Sequence, residues 1–133
     1  MMAQYYFEIS SNLIEADLLK EKIRDILLDY YKEDKIDSLL FCFHELLNNA
    51  IEHGNKMDYQ KKVYINLTIY ENSVIFSIED QGNGFDWHTR MQEELDVNSF
   101  SERGRGIIMT KLMCDEIKYN KIGNIVTCTK NFT

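Results

Sequence analysis

The sequence predicts an α+β fold, a two-layer α/β sandwich in which a mostly antiparallel mixed sheet carries its helices on one face. Two patterns lead to this prediction. Segments of alternating apolar residues come in hairpin pairs, and segments of helical periodicity are grouped between strands. Composition agrees, because hydrophobic residues make up 44% of the 133 residues, enough for a core without metals or disulfides. We expect one domain over residues 1–133.

The N-terminal part of the chain predicts one strand and one helix. Residues 4–9 are rich in aromatic and β-branched side chains, which favour a strand. Leucine and isoleucine then recur at helical spacing from Leu13 to about Tyr31, so we expect a helix there. Ser10 or Ser11 precedes this stripe, and either serine is suited to cap the helix.

A second helix and two hairpins complete the predicted order. The helix is expected to begin at Asp34 or Asp37, to run to about His53 and to stop at Gly54-Asn55, because glycine commonly ends a helix. The remaining predicted elements are strands at 63–70 and 74–78, a short helix at 104–113, and strands at 115–120 and 124–132.

The composition argues against several classes of protein. The formal net charge is −7 and no cluster of lysine and arginine offsets it, which disfavours direct nucleic-acid binding. No apolar run approaches the roughly 20 residues of a membrane helix, and the N-terminus lacks the pattern of a signal peptide. Three cysteines without C-x-x-C spacing indicate buried, reduced thiols in a cytoplasmic protein: Cys42, Cys114 and Cys128.

Polar residues on the second predicted helix form the first candidate site. Glu45, Asn49 and His53 are spaced by four residues, so they lie along one face of a helix. Glu45 and Asn49 are stepped by about 6 Å along the axis. An amide oxygen at this spacing can hold Mg²⁺ while the carboxylate reaches a nearby water or hydroxyl. A solvated helix face with an ordinary i,i+4 hydrogen bond fits the same pattern.

Two glycine-containing segments are the other candidates. Asp80-x-Gly82-x-Gly84 directly follows an apolar strand, so its backbone can turn sharply and Asp80 can accept a hydrogen bond from an amine such as that of adenine. Gly104-x-Gly106 precedes a predicted helix, whose free N–H groups and positive dipole end suit a phosphate. Taken singly, each also fits a plain loop or a routine helix start.

Together, in order and spacing, the three segments resemble the GHKL superfamily of ATP-binding domains, which includes gyrase, heat-shock protein 90, histidine kinases and DNA mismatch-repair proteins. Glu45-x-x-x-Asn49 is similar to the N box, Asp80-x-Gly82-x-Gly84 to the G1 box, and Gly104-x-Gly106 to the G2 box. The resemblance covers residues 12–132 and implies the Bergerat ATP-binding fold, with ATP and Mg²⁺ as cofactors.

The resemblance also implies roles for these residues. Glu45 would be the catalytic residue that polarises the attacking hydroxyl or water, Asn49 the Mg²⁺ ligand and Asp80 the adenine-binding group. Residues 85–103 would form the ATP lid. The nucleotide-binding residues would be Asn49, Asp80, Gly82, Gly84, Gly104, Arg105 and Gly106. The chain departs from the superfamily at Asn124, where a threonine often helps to bind adenine through water.

Within the superfamily, residues 45–55 and 103–107 look like those of the bacterial anti-sigma-factor serine/threonine kinases. The resemblance implies a cytoplasmic kinase that phosphorylates a small anti-anti-sigma protein, with a sigma factor as the regulated target and no direct nucleic-acid or membrane partner. Two alternatives remain open. One is an ATP-dependent protein-binding module with little or no kinase activity, and the other is a catalytic domain acting on a histidine of another chain.

The kinases that the chain resembles are homodimers, and the N-terminal sequence points the same way. One helix can bury only one apolar stripe against its sheet, so part of a dense N-terminal set of side chains should lie on the surface as an interface. The set is Tyr5, Tyr6, Phe7, Leu27, Leu28, Tyr30 and Tyr31. Packing of these residues around the sheet edge of a monomer is the alternative.

Overall fold

Five strands and two α-helices make up the parts of the chain that the computed structural model describes, residues 1–82 and 113–132. Their order is β1 (Ala3–Ser10), α1 (Leu13–Leu28), α2 (Glu33–Asn49), β2 (Lys62–Ile69), β3 (Ser73–Glu79), β4 (Glu116–Tyr119) and β5 (Ile125–Asn131). A π-helical turn, Ala50–Gly54, prolongs α2. The helix predicted at 104–113 lies almost entirely outside the described residues.

The strands form one sheet in the order β1-β2-β3-β5-β4, and every pairing among the described strands is antiparallel. The register places Tyr5, Leu67, Phe76 and Cys128 side by side across four strands. This row faces the helices, since Leu67, Phe76 and Cys128 are buried. The polar residues between them in sequence occupy the opposite face, which confirms the alternation read from the sequence.

The core lies between the sheet and the two helices. Helix α1 contributes Leu19, Ile23 and Leu27, while α2 contributes Phe43, whose ring meets that of Phe76 edge to face at 5.4 Å. Helices on one side of an antiparallel sheet confirm the predicted α+β two-layer fold. The three cysteines are buried thiols of this same core. In residues 1–82 and 113–132, no helix has the length and apolar character needed to cross a membrane.

The start of α1 differs from the prediction. Asn12, and neither serine before it, caps the helix: its Oδ1 accepts the N–H groups of Ile14 at 2.7 Å and Glu15 at 3.3 Å. Ser11 is turned inward, where its Oγ donates to the carbonyl of Lys61 at 2.9 Å. Because Asn12 caps the helix, the hydroxyl of Ser11 is left for a tertiary contact.

The ends of the helices also shift slightly. Helix α1 stops at Leu28, three residues before the predicted Tyr31. Tyr31 instead packs its ring against Phe132 at 4.6 Å and donates its hydroxyl to the carbonyl of Ser73 at 3.1 Å, which ties the helix end to the sheet. Helix α2 begins at Glu33, ahead of both predicted aspartates, and its first turn is acidic, as the helix dipole favours.

Candidate functional site

Helix α2 presents Glu45 and Asn49 as the sequence predicts. Both residues are half-buried, and the helix keeps α geometry through Asn49, so the two stay one turn apart on one face. His44 is engaged elsewhere, since its Nε2 lies 3.1 Å from Nδ2 of Asn48. Glu45 and Asn49 therefore form a pair beside the buried stripe that holds Leu46 and Leu47.

His53 does not continue this line. The chain enters the π-helical turn after Asn49, and the N–H of Asn55 bonds to the carbonyl of Ala50, five residues earlier. A spacing of four residues no longer returns to the same face in such a turn. The imidazole of His53 is 47% exposed, and its Nε2 lies 3.7 Å from a carboxylate oxygen of Glu52. The predicted line of three residues is thus a pair.

The π-helical turn delivers Gly54 directly against Asp80. A Cβ on Gly54 would lie 2.2 Å from Oδ2 and 2.3 Å from Cγ of Asp80. A Cβ on Gly82 would in turn lie 2.0 Å from the carbonyl oxygen of Gly54. A Cβ essentially never lies within 3.0 Å of a nonbonded heavy atom, so a side chain at either position would force its neighbours to shift. The end of the Glu45 helix and the Asp80 turn are therefore packed against each other with no side chain between them.

Hydrogen bonds fix Asp80 from the other side. Its N–H donates to the carbonyl of Asn124 at 2.9 Å, and Nδ2 of Asn124 donates to the carbonyl of Asp80 at 3.3 Å. The N–H of Gly82 donates to Oδ1 of Asp80 at 2.8 Å. Oδ2 has no hydrogen-bond partner among the described residues, so one carboxylate oxygen is left to accept a hydrogen bond from a ligand.

Asp80 as a whole residue is only 7% exposed. Burial is the main cause that raises its pKa above the ordinary value of 3.8, and Glu79 acts in the same direction. The Gly82 N–H and the Lys61 ammonium both lower the pKa, but they do not cancel the effect of burial. A carboxylate with so little water around it is a strong hydrogen-bond acceptor and also costs stability.

Asn124 is a site residue whose task the sequence did not reveal. Besides holding Asp80, its Oδ1 accepts a hydrogen bond from Nδ2 of Asn120 at 2.6 Å. Gly123 precedes it with a φ of 85°, the left-handed conformation that favours glycine. The asparagine that departs from the superfamily pattern therefore holds the Asp80 backbone through its own backbone carbonyl and its Nδ2, while Asn120 holds its Oδ1.

The structure brings together part of the predicted set. Glu45, Asn49, Asp80 and Gly82 belong to the helix end and the turn that Gly54 joins. The other predicted residues lie outside the described residues: Gly84, Gly104, Arg105 and Gly106. Gly54, Asn55 and Asn124 were missed as site residues. A glycine right after the helix signalled only a helix end, because the contact with Asp80 spans 26 positions of sequence.

The pattern that defines the histidine kinase-like ATPase domain matches residues 16–130. The chain therefore belongs to this family, and the predicted superfamily is confirmed. Individual relatives narrow the resemblance. Serine-protein kinase RsbW of Bacillus subtilis (strain 168) is 28% identical over 107 residues, which cover 75% of this chain and 67% of that protein.

Two further relatives carry the same name. Serine-protein kinase RsbW of Bacillus licheniformis is 28% identical over 94 residues, covering 66% of this chain and 59% of that protein. The Listeria monocytogenes serovar 1/2a protein (strain ATCC BAA-679 / EGD-e) is 27% identical over 107 residues, covering 75% and 68%. The matched parts of the chain thus correspond to between 59% and 68% of the length of these three relatives.

The contact between Gly54 and Asp80 generates the first prediction. Gly54→Ala should lower the free energy of unfolding by about 1–3 kcal/mol, the usual cost of forcing atoms into a packed site. Urea denaturation measures this loss. In an Asp80→Ala background the same substitution should cost much less, because the atoms that the new Cβ meets belong to the carboxyl group. Additive losses in this double-mutant cycle would mean that the two residues are not in contact.

Proposed function

We propose that this chain binds ATP with Mg²⁺ and acts in the cytoplasm as a serine/threonine protein kinase of the anti-sigma-factor type. Its substrate would be a small anti-anti-sigma protein, and a sigma factor would be the regulated target. The observation that carries the proposal is the direct packing of Gly54 on Asp80, which joins the helix bearing Glu45 and Asn49 to the turn bearing the buried carboxylate. Membership of the family and the three relatives named as serine-protein kinases support it.

Asp80 suits the exocyclic amine of adenine. Its Oδ1 accepts the N–H of Gly82, while Oδ2 has no partner within residues 1–82 and 113–132. Because Gly54 and Gly82 have no side chains, the helix end and the Asp80 turn pack directly together and hold the carboxylate in place. An amine that donates to a carboxylate can discriminate adenine from guanine, which carries a carbonyl at the corresponding position.

Asn49 and Glu45 suit the triphosphate end of the nucleotide. The amide oxygen of Asn49 would bind Mg²⁺, which prefers one or two protein oxygens and fills its shell with phosphates and water. When bound, the metal would neutralise charge on the phosphates. Glu45, one helical turn before Asn49, would orient the serine or threonine hydroxyl of the partner and accept its proton. Gly104, Arg105 and Gly106 are assigned to the phosphates from the sequence alone.

The second prediction concerns Asp80→Asn. ATP affinity should fall at least about tenfold, about 1.4 kcal/mol, because the charged acceptor for the adenine amine is lost. The free energy of unfolding at neutral pH should rise, since burial of a charge is removed while an amide oxygen can still accept the Gly82 N–H. Calorimetric titration and urea denaturation measure the two effects.

The sign of the pH dependence follows from the raised pKa of Asp80. Wild-type protein loses stability as the pH rises through the folded-state pKa of this carboxyl, because the unfolded chain ionises more readily. The extra stability of Asp80→Asn should therefore appear above that pKa. It should vanish below pH 3.8, where the Asp80 carboxyl is neutral in both the folded and the unfolded wild-type protein. A stability gain that does not change with pH would contradict the assigned cause, and unchanged ATP affinity would remove the assigned adenine contact.

The third prediction separates binding from chemistry. Glu45→Gln should bind ATP nearly as well as the wild type but transfer phosphate at least about 100-fold more slowly, because an amide cannot accept the proton of the attacking hydroxyl. Labelled ATP and an extract of the host cell provide the assay. Acid-stable label on a small protein supports the proposal, acid-labile label indicates a histidine target, and no label favours a binding module.

Asp37→Asn is the matched control for Glu45→Gln. It makes the same change of charge on the same helix, at an exposed position two turns before the site. Transfer by this control should equal that of the wild type. Wild-type transfer by Glu45→Gln itself would show that Glu45 is not catalytic.

The fourth prediction is a two-fold homodimer formed near β1. This strand is an edge of the sheet, eight residues long, and its Tyr6 is 72% exposed. Of the seven N-terminal residues expected to be crowded, Tyr6 and Leu28 are exposed, whereas the other five are buried in the core or packed against it. Sedimentation at micromolar concentration should give twice the monomer mass. A mass near 15.8 kDa at all concentrations, with and without ATP, would refute the dimer.

A further inference from the structure

A buried polar chain runs beneath the Asp80 turn. In the described part of the molecule the core contains three buried polar or charged residues, Ser11, Asn55 and Asp80, of which Ser11 and Asn55 are 0% exposed. Burying a polar group is unfavourable unless its hydrogen bonds are made. These three residues come from different parts of the chain, yet Asn55 connects the serine with the turn that follows Asp80.

The side chain of Asn55 uses both ends of its amide. Nδ2 donates to Oγ of Ser11 at 2.7 Å and to the carbonyl of Lys62 at 2.9 Å. Oδ1 accepts the N–H of Gln81 at 2.8 Å. The Ser11 hydroxyl in turn donates a hydrogen bond to the carbonyl of Lys61 at 2.9 Å. This arrangement requires two donors and an acceptor in a short side chain, a set that asparagine has and that aspartate, serine and leucine lack.

The bond to Gln81 has a geometric consequence. Three successive N–H groups of the turn are held: that of Asp80 by the carbonyl of Asn124, that of Gln81 by Asn55, and that of Gly82 by Asp80 itself. Of these three partners, Asn55 is the one that directly follows the π-helical turn at the end of α2. The hydrogen bond from the Gln81 N–H to Asn55 therefore sets the position of the turn relative to the helix that carries Asn49.

We propose that Asn55 is a positioning residue for nucleotide binding: its amide fixes the Asp80 turn relative to α2, and so sets the distance between the adenine and magnesium contacts. This inference rests on the proposed function, because Asp80 and Asn49 matter in this way only if they hold the two ends of Mg-ATP. In this proposal Asn55 itself contacts neither the adenine nor the magnesium ion. Gly54 prevents a side chain from separating the helix and the turn, and Asn55 holds them in register.

The test compares three variants at a temperature where each is folded. Asn55→Ala removes the Gln81 acceptor and should weaken ATP binding at least about tenfold. It should also narrow the preference for ATP over GTP, because Asp80 is displaced. Ser11→Ala breaks the same network on the side away from the turn, and should lose stability while keeping the affinity and base preference of the wild type. Asn55→Asp keeps an acceptor for Gln81 and should retain base preference despite lower stability.

Two outcomes would overturn the positioning role. The first is that Asn55→Ala folds and keeps the ATP affinity and base preference of the wild type. The second is that Ser11→Ala and Asn55→Ala lose base preference equally.

Hydrogen exchange of the Gln81 amide in the nucleotide-free protein tests this inference separately from the proposed function. Exchange should accelerate in Asn55→Ala but not in Asn55→Asp. If Asn55→Ala does not fold, the comparison is between the other two variants. Faster exchange of the Gln81 amide in Asn55→Asp than in Ser11→Ala would then overturn the proposal. If wild type binds no ATP, the proposed function fails, whatever the exchange shows.

Discussion

The absence of a side chain at Gly54 is the constraint on which the site depends. The helix that carries Glu45 and Asn49 continues into a π-helical turn that ends at Gly54, and this turn can reach the Asp80 turn only because Gly54 has no side chain. A single methyl group there would overlap the carboxylate. Gly82 repeats the constraint from the opposite side by packing on the Gly54 carbonyl. Because neither glycine has a side chain, the end of the π-helical turn and the Asp80 turn pack backbone against backbone and carboxylate.

Such close packing leaves the Asp80 carboxylate with little water, and the surrounding bonds show how the fold tolerates it. One oxygen receives the Gly82 N–H, and the backbone on either side is held by Asn124 and Asn55. The pKa of Asp80 nevertheless stays raised, because burial outweighs these contacts. Burial of the Asp80 charge therefore still lowers the stability of the fold, and an amine of a bound ligand that donates to the carboxylate would offset this loss.

The sequence was sufficient to predict the elements of residues 1–82 and 113–132, and only part of the candidate site. Strand alternation and helical periodicity depend on neighbours within a few residues, so the hairpins and both helices were predicted nearly to their ends. The cap of α1 was wrong because Ser11 serves a partner 50 residues away, which no local pattern encodes. Gly54 and Asn55 were predicted to end the helix, and they do. Their contacts with Asp80 and Gln81 arise only when the hairpin folds back, beyond the reach of a periodicity argument.

Asn124 shows how a departure from a family pattern can be understood physically. A threonine at this position would offer one hydroxyl, whereas asparagine offers a donor and an acceptor. Here the donor holds the carbonyl of Asp80 and the acceptor receives Asn120, so the amide is committed to the protein. It follows that base recognition in this chain would rest more heavily on Asp80 than in relatives with a hydroxyl free to bind water. Under the proposed function, the hydrogen bonds that Asn124 and Asn55 make to the Asp80 turn would then govern selectivity for the base.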